Sequence, residues 1–327
     1  MATIKQVALE AGLSKSTVSR FIAQNGYVSD EARKKIEEAI KKLNFTPNLS
    51  AQSLKTKKNQ LVGLLLPDIS NPFFPMLEKG AEEFLKEKGY RVMLGNIGEN
   101  HQSEHDYLKV LLQSNAAGII STHDFKEEFP DLDIPSVIVD RVGHKSNYGV
   151  FSDNESGGRL AAKVIVEAGA KNVAVVSGSL NATNINNRFK ASIAYLKEKK
   201  VDFKAFYSQS YDFEEIQKEA REVLANKENF DSIIAPSDIH AMAYIHEIHR
   251  LDKKIPEEIQ IIGYDDIQMS QFIYPALSTI HQSAYQMGLE AAQLIYKIAT
   301  DQPIEKSKIE LPVHYVARET IRQKRKE

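Results

Sequence analysis

The 327-residue sequence predicts an α/β protein with a small helical N-terminal head and a core of two doubly wound parallel-sheet subdomains. Three short amphipathic helical patterns occupy the first 46 residues. Beyond residue 59, apolar runs alternate with helical patterns, which is typical of parallel sheets covered by helices. These elements number about a dozen, more than one sheet usually holds, so two similar halves are expected in succession.

The head is predicted to be a helix-turn-helix unit, because a tight glycine-centred turn separates its first two helices. Thr3 can cap the first helix, Gly12 can end it in a left-handed turn, and Ser14 can cap the second helix. The predicted helices span residues 4–11, 15–23 and 29–43.

The core is predicted to alternate strands and helices. Apolar runs predict strands over residues 61–66, 91–95, 118–121, 136–140, 173–178, 232–235 and 259–263. Helical patterns cover residues 75–88, 102–114, 154–168, 187–199, 213–226 and 239–251. Ligands of open parallel sheets bind beyond the carboxyl ends of the strands, so two facing halves would form a cleft from those ends.

Charge is distributed unevenly along the chain. The net charge is -2, yet residues 1–60 carry 11 Lys and Arg against 5 Asp and Glu, a net +6, and the remainder carries -8. A basic head on an acidic body favours a polyanionic partner for the head. Chance segregation of charge on solvated helix faces is the alternative.

Composition narrows the class of protein. The chain has no cysteine, which excludes disulfide frameworks, thiolate metal sites and cysteine nucleophiles. No basic segment followed by an apolar run opens the sequence, and no stretch approaches the roughly 18 apolar residues of a membrane span. A cytoplasmic protein without membrane contact is therefore expected.

The outward side chains of the second helix are small, hydroxylic or cationic, as in helices that enter the DNA major groove. Arg20 can contact guanine through two hydrogen bonds. A well-capped, exposed helix is the plainer interpretation. Residues 47–58 could form a short hinge helix only with a partner, and Leu54 could then enter a minor-groove step; a simple linker is the alternative.

Polar and aromatic side chains follow several predicted strands, where they would face the cleft. Carboxylates accept hydrogen bonds from vicinal hydroxyls, and arginine donates in a planar fork, so the set suits a sugar. Plainer roles are a helix cap for Asp238, a core position for Phe73 and a solvent-facing acid for Asp266. The candidates are Asn71, Phe73, Phe74, Asp140, Arg141, Arg188, Ser237, Asp238, Asp265 and Asp266.

Several motifs resemble the lactose/galactose repressor (LacI/GalR) family over essentially the whole chain. They are Thr-Ile-Lys-Gln-Val-Ala at 3–8, Ser-Lys-Ser-Thr-Val-Ser-Arg at 14–20, Asn-Gly-Tyr-Val-Ser at 25–29, Pro-Asn-x-x-Ala-x-Ser-Leu at 47–54, Asn-Pro-Phe-Phe at 71–74 and Ile-Ile-Gly-Tyr-Asp-Asp at 261–266. Gln52 departs from the family, where many members carry arginine, which puts one hinge–phosphate contact in doubt. Within the family, residues 63–75, 259–267 and 277–288 are most similar to the regulators of ribose genes in low-GC Gram-positive bacteria.

The resemblance implies a sequence-specific repressor with a periplasmic-binding-protein-like core that senses a sugar or sugar phosphate. It implies a headpiece at 1–46, a hinge at 47–58 and a core at 59–327, with subdomains of about 59–155 plus 283–305 and 156–277 plus 308–327. It marks Phe73, Arg188 and Asp265 as the strongest effector contacts and adds Phe213, with Tyr211 as an alternative to it. Implied DNA contacts are Thr3, Lys5, Ser14, Ser16, Thr17, Arg20, Asn25, Tyr27, Asn48, Ser53, Leu54 and Lys55.

The family also implies a homodimer on a pseudo-palindromic operator, with sugar binding expected to weaken DNA binding. A repressor for another sugar such as sucrose, or a catabolite regulator with a phosphoprotein corepressor, remains open. So do a sugar-binding transport protein and a constitutive architectural DNA binder.

An enzyme is not expected, and neither catalytic residues nor a cofactor or metal is predicted. The sequence holds no zinc-protease, nucleophile-elbow or phosphate-loop motif. His246 and His249 are interpreted as a solvated helix face without a third ligand. The pair Gly157-Gly158 at a predicted helix start could receive a phosphate, but two glycines are a weak signal.

Overall fold

The structure is a computed structural model that describes residues 2–22, 26–45, 59–98, 101–125, 129, 134–143, 146–178, 183–208, 212–225 and 229–323. It divides into two compact units, Met1–Gln60 with Leu111–Ala116, and Leu61–Val110 with Ala117–Glu327. The three N-terminal helices are called the head and the part from Leu61 onward the core, and each is described by itself.

The head contains three helices, as predicted: α1 (Ile4–Ala11), α2 (Lys15–Ile22) and α3 (Asp30–Lys42). Thr3 and Gln6 form a reciprocal capping box at the start of α1. Gly12 ends α1 with a φ of 63°, a left-handed conformation that glycine adopts without steric cost. The helices pack through a small apolar core that includes Val7, Val18 and Ile36.

The core contains two six-stranded sheets. The first has the strand order β11-β5-β4-β3-β1-β2, and the second has the order β12-β10-β9-β8-β6-β7. The described strand pairs are parallel, except that β10 and β12 pair antiparallel. The strands are β1 (Asn59–Leu66), β2 (Arg91–Asn96), β3 (Ala116–Ser121), β4 (Ser136–Val139), β5 (Gly149–Ser152), β6 (Asn172–Ser177), β7 (Asp202–Tyr207), β8 (Ser232–Ile234), β9 (Gln260–Asp265), β10 (Thr279–His281), β11 (Lys308–Leu311) and β12 (His314–Val316).

Helices cover both sheets, as expected for a doubly wound α/β fold. They are α4 (Phe73–Glu87), α5 (His101–Gln113), α6 (Asn154–Glu167), α7 (Thr183–Lys199), α8 (Phe213–Leu224), α9 (Asp238–Arg250) and α10 (Ala284–Ala299). A short 3-10 helix, Gln268–Gln271, follows β9. Helices α4 and α10 pack in the core of the first sheet, whereas α6 and α7 pack in that of the second. No helix among these described residues is long and apolar enough to cross a membrane.

The chain passes between the two halves of the core three times. It leaves the first sheet after β5, returns after β10 to supply α10 and β11, and crosses again before β12. Residues 308–327 were expected to belong wholly to the second subdomain. The structure instead adds Lys308–Leu311 to the edge of the first sheet, where it pairs in parallel with β5.

Candidate functional sites

Arg188 lies buried in the core at the first turns of α7, and three groups hold its guanidinium. Nε donates to Asn154 Oδ1 at 2.8 Å, and Nη1 donates to the Pro236 carbonyl at 3.1 Å. The guanidinium carbon lies 3.7 Å from the centre of the Tyr264 ring. Because its plane and one edge are fixed in this way, Arg188 presents its remaining donors in one defined direction.

Asp265 is the acid nearest Arg188. Its Oδ1 lies 3.9 Å from Arg188 Nη1 and accepts a hydrogen bond from Gln282 Nε2 at 2.6 Å. Burial raises the pKa of Asp265 well above its ordinary value, and the nearby Asp238 and Asp140 raise it further, while Arg188 opposes them. The site therefore holds more buried acid than buried base.

Three aspartates of this region adopt positive φ angles, which are uncommon for residues other than glycine but enriched among asparagine, aspartate and histidine. Asp140 has a φ of 61°, Asp265 of 112° and Asp266 of 58°. Each directly follows or ends a strand, Asp140 after β4 and the others at β9. Only the φ of Asp265 lies outside the left-handed helical range, and strain of this kind concentrates at binding sites.

Two buried acceptors close to Asp265 lack a hydrogen-bond partner among the described residues. They are Asp140 Oδ1 and Gln282 Oε1. A buried polar atom without a partner costs roughly 1–3 kcal/mol, so native proteins retain few of them without a reason. Hydroxyl groups of a ligand would supply the missing donors.

Asp238 was predicted to contact the effector, and the structure corrects this prediction. Its side chain is 0% exposed, and both carboxylate oxygens are occupied. Oδ2 accepts from Ile267 N at 2.9 Å and from Ser270 Oγ, and Oδ1 accepts from Thr279 Oγ1 at 2.6 Å. Its plainer role as a helix cap is also wrong, because Ser237 caps α9 instead. Asp238 ties the segment after β9 to β10.

Asp266 does not face solvent. It is half-buried and accepts hydrogen bonds from His281 Nδ1 at 2.9 Å and from Arg318 Nη2. Burial alone would raise its pKa, but these two bonds and the positive charge of Arg318 leave the pKa below its ordinary value. Asp266 thus anchors the strand end that carries Asp265.

The other predicted effector contacts occupy varied environments. Phe73 and Phe74 are buried at the start of α4, in edge-to-face contact with a centroid distance of 5.3 Å. Asn71 Oδ1 accepts from Phe73 N and fixes the turn into this helix. Arg141 is half-buried beside Asp140, and Phe213 is 60% exposed at the first residue of α8. Their role toward a ligand stays a prediction.

In the head, α2 exposes Lys15, Ser16 and Arg20. The Ser14 hydroxyl caps the helix by accepting from Thr17 N, and it also bonds the hydroxyls of Ser16 and Thr17. A basic and hydroxylic surface is therefore presented on one short helix. Thr3 belongs to the capping box, Lys5 is exposed, and Tyr27 is 88% exposed. Five predicted DNA contacts lie outside the described residues, namely Asn25, Asn48, Ser53, Leu54 and Lys55. The hinge residue Gln52 and the alternative effector contact Tyr211 also lie outside them.

Three residues that contact Arg188 or Asp265 were not predicted from the sequence, namely Asn154, Tyr264 and Gln282. Asn154 follows a strand that was not predicted, and Gln282 follows the three-residue β10, which lacks a long apolar run. Tyr264 lies inside an apolar run, where its contact with Arg188 depends on tertiary packing. Within the described ranges, no group of three or more His, Asp or Glu could hold a metal ion.

Comparison with known proteins identifies relatives over the full length. A model of bacterial regulatory proteins of the lacI family matches residues 3–48, and a periplasmic binding protein domain matches residues 62–303. A ribose operon repressor of Lactococcus lactis subsp. lactis (strain IL1403) is 94% identical over 327 residues, which is 100% of both chains. A ribose operon repressor of Bacillus subtilis (strain 168) is 42% identical over 98% of this chain and 99% of its own.

Solved structures share the fold. A lac repressor dimer bound to operator and the anti-inducer ONPF has a TM-score of 0.86 at 23% identity, over 98% of each chain. A LacI family transcriptional regulator from Enterococcus faecalis V583 with bound ribose has a TM-score of 0.71 at 26% identity, over 80% of this chain and 98% of its own.

Proposed function

Because this chain belongs to the lacI family of bacterial regulatory proteins, we propose that it is a DNA-binding repressor of ribose genes whose operator affinity is lowered by ribose. The observation that carries the proposal is the full-length identity of 94% to a ribose operon repressor. The family consists of regulators, in agreement with the expectation that the chain is not an enzyme. The cytoplasm, where operator DNA lies, is the proposed location.

We propose the following division of labour along the chain. Residues 1–46 read the operator, residues 47–58 form the hinge, and residues 59–327 bind the effector between two subdomains. Two heads of a homodimer would take the half-sites of a pseudo-palindromic operator. Ser16, Thr17 and Arg20 on α2 are the proposed base and phosphate contacts, supported by their exposure or partial exposure on one helix.

The charge balance of the cleft favours a neutral sugar over a sugar phosphate. Asp140 and Asp265 are buried beside Arg188, whose Nε and Nη1 already donate to Asn154 and Pro236. A phosphate group would add about -1.5 to -2 charges at pH 7 beside these two acids. A polyhydroxyl ligand instead supplies donors to Asp140 Oδ1 and Gln282 Oε1, the two cleft acceptors that lack them among the described residues.

The proposed contacts come from both halves of the core, which supports a coupling mechanism. Asp140 follows a strand of the first sheet, whereas Arg188, Asp265 and Gln282 belong to elements of the second. A ligand bound to both halves favours the arrangement in which they are held together. Coupling of this kind is typically about 1–3 kcal/mol and reciprocal, so operator should weaken ribose binding by the same factor.

The test uses the full-length protein and an operator duplex selected from a random-sequence library. Fluorescence anisotropy gives its operator affinity without sugar and with D-ribose, ribose 5-phosphate, D-xylose or sucrose. We expect ribose alone to weaken binding, by about 5- to 150-fold. Asp265→Asn should abolish this response and keep the sugar-free operator affinity, whereas the exposed control Asp301→Asn should behave as wild type.

Other outcomes would identify a different regulator. A response to another sugar only would contradict the ribose assignment. Tighter operator binding with ribose would make the sugar a corepressor. Operator binding that no sugar changes, in a protein that binds ribose, would contradict the coupling between the two sites.

A further inference from the structure

We propose that Tyr264, held in place against Gly157, is the positioning residue that orients the Arg188 guanidinium toward the effector. This inference rests on the proposed function, since it assumes that Arg188 donates to a sugar. The ring of Tyr264 supports the flat face of the guanidinium at 3.7 Å, while Asn154 and Pro236 hold its edge. The ring thereby fixes the plane of the fork.

The ring of Tyr264, and not its hydroxyl, carries this role. Tyr264 is 2% exposed, and its Oη has no hydrogen-bond partner among the described residues. Burial raises the pKa of Tyr264 to about 12, although Arg188 opposes this, so the ring stays neutral near pH 7. A guanidinium over a buried aromatic face is held by cation–π attraction, which strengthens when both partners are desolvated.

Two adjacent glycines of α6 give this helix its close approach to the stack. A Cβ on Gly157 would lie 2.1 Å from Tyr264 Oη and 2.9 Å from Cζ. A Cβ on Gly158 would lie 1.9 Å from the carbonyl oxygen of Arg188 itself. Any larger side chain at these positions must therefore displace the ring or the backbone of Arg188.

This packing explains the pair Gly157-Gly158 that the sequence analysis considered as a phosphate site. Both glycines are buried and contact protein, so the pair serves close packing. The same helix also holds Arg188 directly, because its first residue, Asn154, accepts a hydrogen bond from Arg188 Nε. The first turn of α6 thereby fixes the position of the Tyr264 ring through Gly157 and the orientation of the Arg188 guanidinium through Asn154.

Four variants of the full-length protein test the inference: Tyr264→Phe, Tyr264→Leu, Gly157→Ala and the double variant Gly157→Ala/Tyr264→Phe. The matched control is Tyr244→Leu, since Tyr244 is also a buried tyrosine whose hydroxyl lacks a partner among the described residues but packs in a different apolar cluster. Arginine-selective ¹⁵N labelling reports the Arg188 side-chain resonance, which the ring current of Tyr264 should shift upfield. Calorimetry reports ribose affinity.

We expect Tyr264→Phe to keep both the upfield resonance and ribose affinity within about two-fold, because the ring remains. Tyr264→Leu should lose the shift and bind ribose about ten-fold more weakly or worse. Gly157→Ala should displace the resonance and weaken binding. The double variant should recover part of both, since removing Oη removes the shortest contact.

The two readouts separate failure of this inference from failure of the proposed function. If Tyr264→Leu keeps the wild-type resonance, or if the double variant is no better than Gly157→Ala, Tyr264 does not position Arg188. If the resonances change as expected but wild-type protein binds no ribose, the positioning holds and the ribose assignment fails. Tyr244→Leu should lower the free energy of unfolding without changing either readout.

Discussion

Asp238→Asn should remove a pH dependence of stability that the buried carboxyl imposes on the core. Burial raises the pKa of Asp238 from its ordinary 3.8 to about 7, and nearby Asp266 adds to this, although Ser270, Thr279 and Ile267 donate to its oxygens and lower it. Between these two pKa values the folded state holds a proton that the unfolded state has released. Stability therefore falls as pH rises through this range.

The magnitude follows from the two pKa values. Each tenfold change in proton affinity is worth about 1.4 kcal/mol, so the contribution of Asp238 should fall by about 2.5 kcal/mol between pH 5 and pH 8. The asparagine that replaces this aspartate cannot titrate, yet its amide can still accept from Ile267 N and donate to one hydroxyl. The difference between the two pH profiles therefore reports the titration of Asp238 together with its effect on Asp265, whose pKa Asp238 helps to raise.

Urea unfolding at pH 5, 6, 7 and 8, followed by far-UV circular dichroism, measures these profiles; the chain has no tryptophan for fluorescence. The exposed control Asp301→Asn should keep the wild-type profile. If wild type and Asp238→Asn lose equal stability from pH 5 to pH 8, Asp238 is ionised throughout. The three donors would then outweigh burial, and the reasoning would be refuted.

The remaining predictions concern other parts of the chain. Gly12→Ala should destabilise the head by about 1 kcal/mol, because alanine at a φ of 63° is strained; thermal unfolding of the head measures this. Asp266→Asn should remove stability that wild type has above about pH 4 and loses on acidification, since the folded pKa is lowered; the two proteins should converge in acid unfolding. Arg20→Ala should relax base selectivity in operator titrations without changing ribose affinity, whereas Lys34→Ala should retain selectivity. Operator affinity of wild type should also fall linearly with salt on logarithmic axes.

The head could be predicted almost completely from the sequence because its signals are local. Thr3 and Gly12 act within one helical turn, and the apolar spacing places Val7 and Ile36 inward without knowledge of the rest. The central strands were predicted for a similar reason, since both faces are covered and the runs are continuously apolar.

Several strands at or near the sheet edges could not be predicted in this way, although the edge strand β2 was predicted. β7 reads Asp-Phe-Lys-Ala-Phe-Tyr, β11 reads Lys-Ile-Glu-Leu, and β10 and β12 have only three residues each. Such strands are partly exposed to solvent or pair with segments far along the chain. Their sequences therefore lack the continuous apolar run that marks a central strand. Helix α10 was also not predicted, although its sequence is amphipathic. In the structure, Ser283 precedes this helix but makes no capping hydrogen bond to it.

The candidate site was predictable in outline and not in detail. Strand ends and the family motifs pointed to Arg188 and Asp265, which the structure brings to 3.9 Å. The strand ends alone also pointed to Asp238, which the fold turns inward to tie β10 to the segment after β9. Side-chain direction decides which of several neighbouring acids faces Arg188 and which is held by internal hydrogen bonds, and a sequence motif does not carry that information.

The chain crosses between the two sheets three times, and these crossings affect how the protein folds while the ribosome synthesises it. The first sheet lacks its edge strand β11, and α4 lacks its partner α10, until residues 284–311 have left the ribosome. The close contacts of Gly80 with the Tyr285 carbonyl and of Gly288 with the Leu77 carbonyl join segments some 200 residues apart. Neither half can complete its fold until β11 and β12 have been synthesised, so premature termination before Lys308 should yield a chain with two defective subdomains, which cellular proteases would remove.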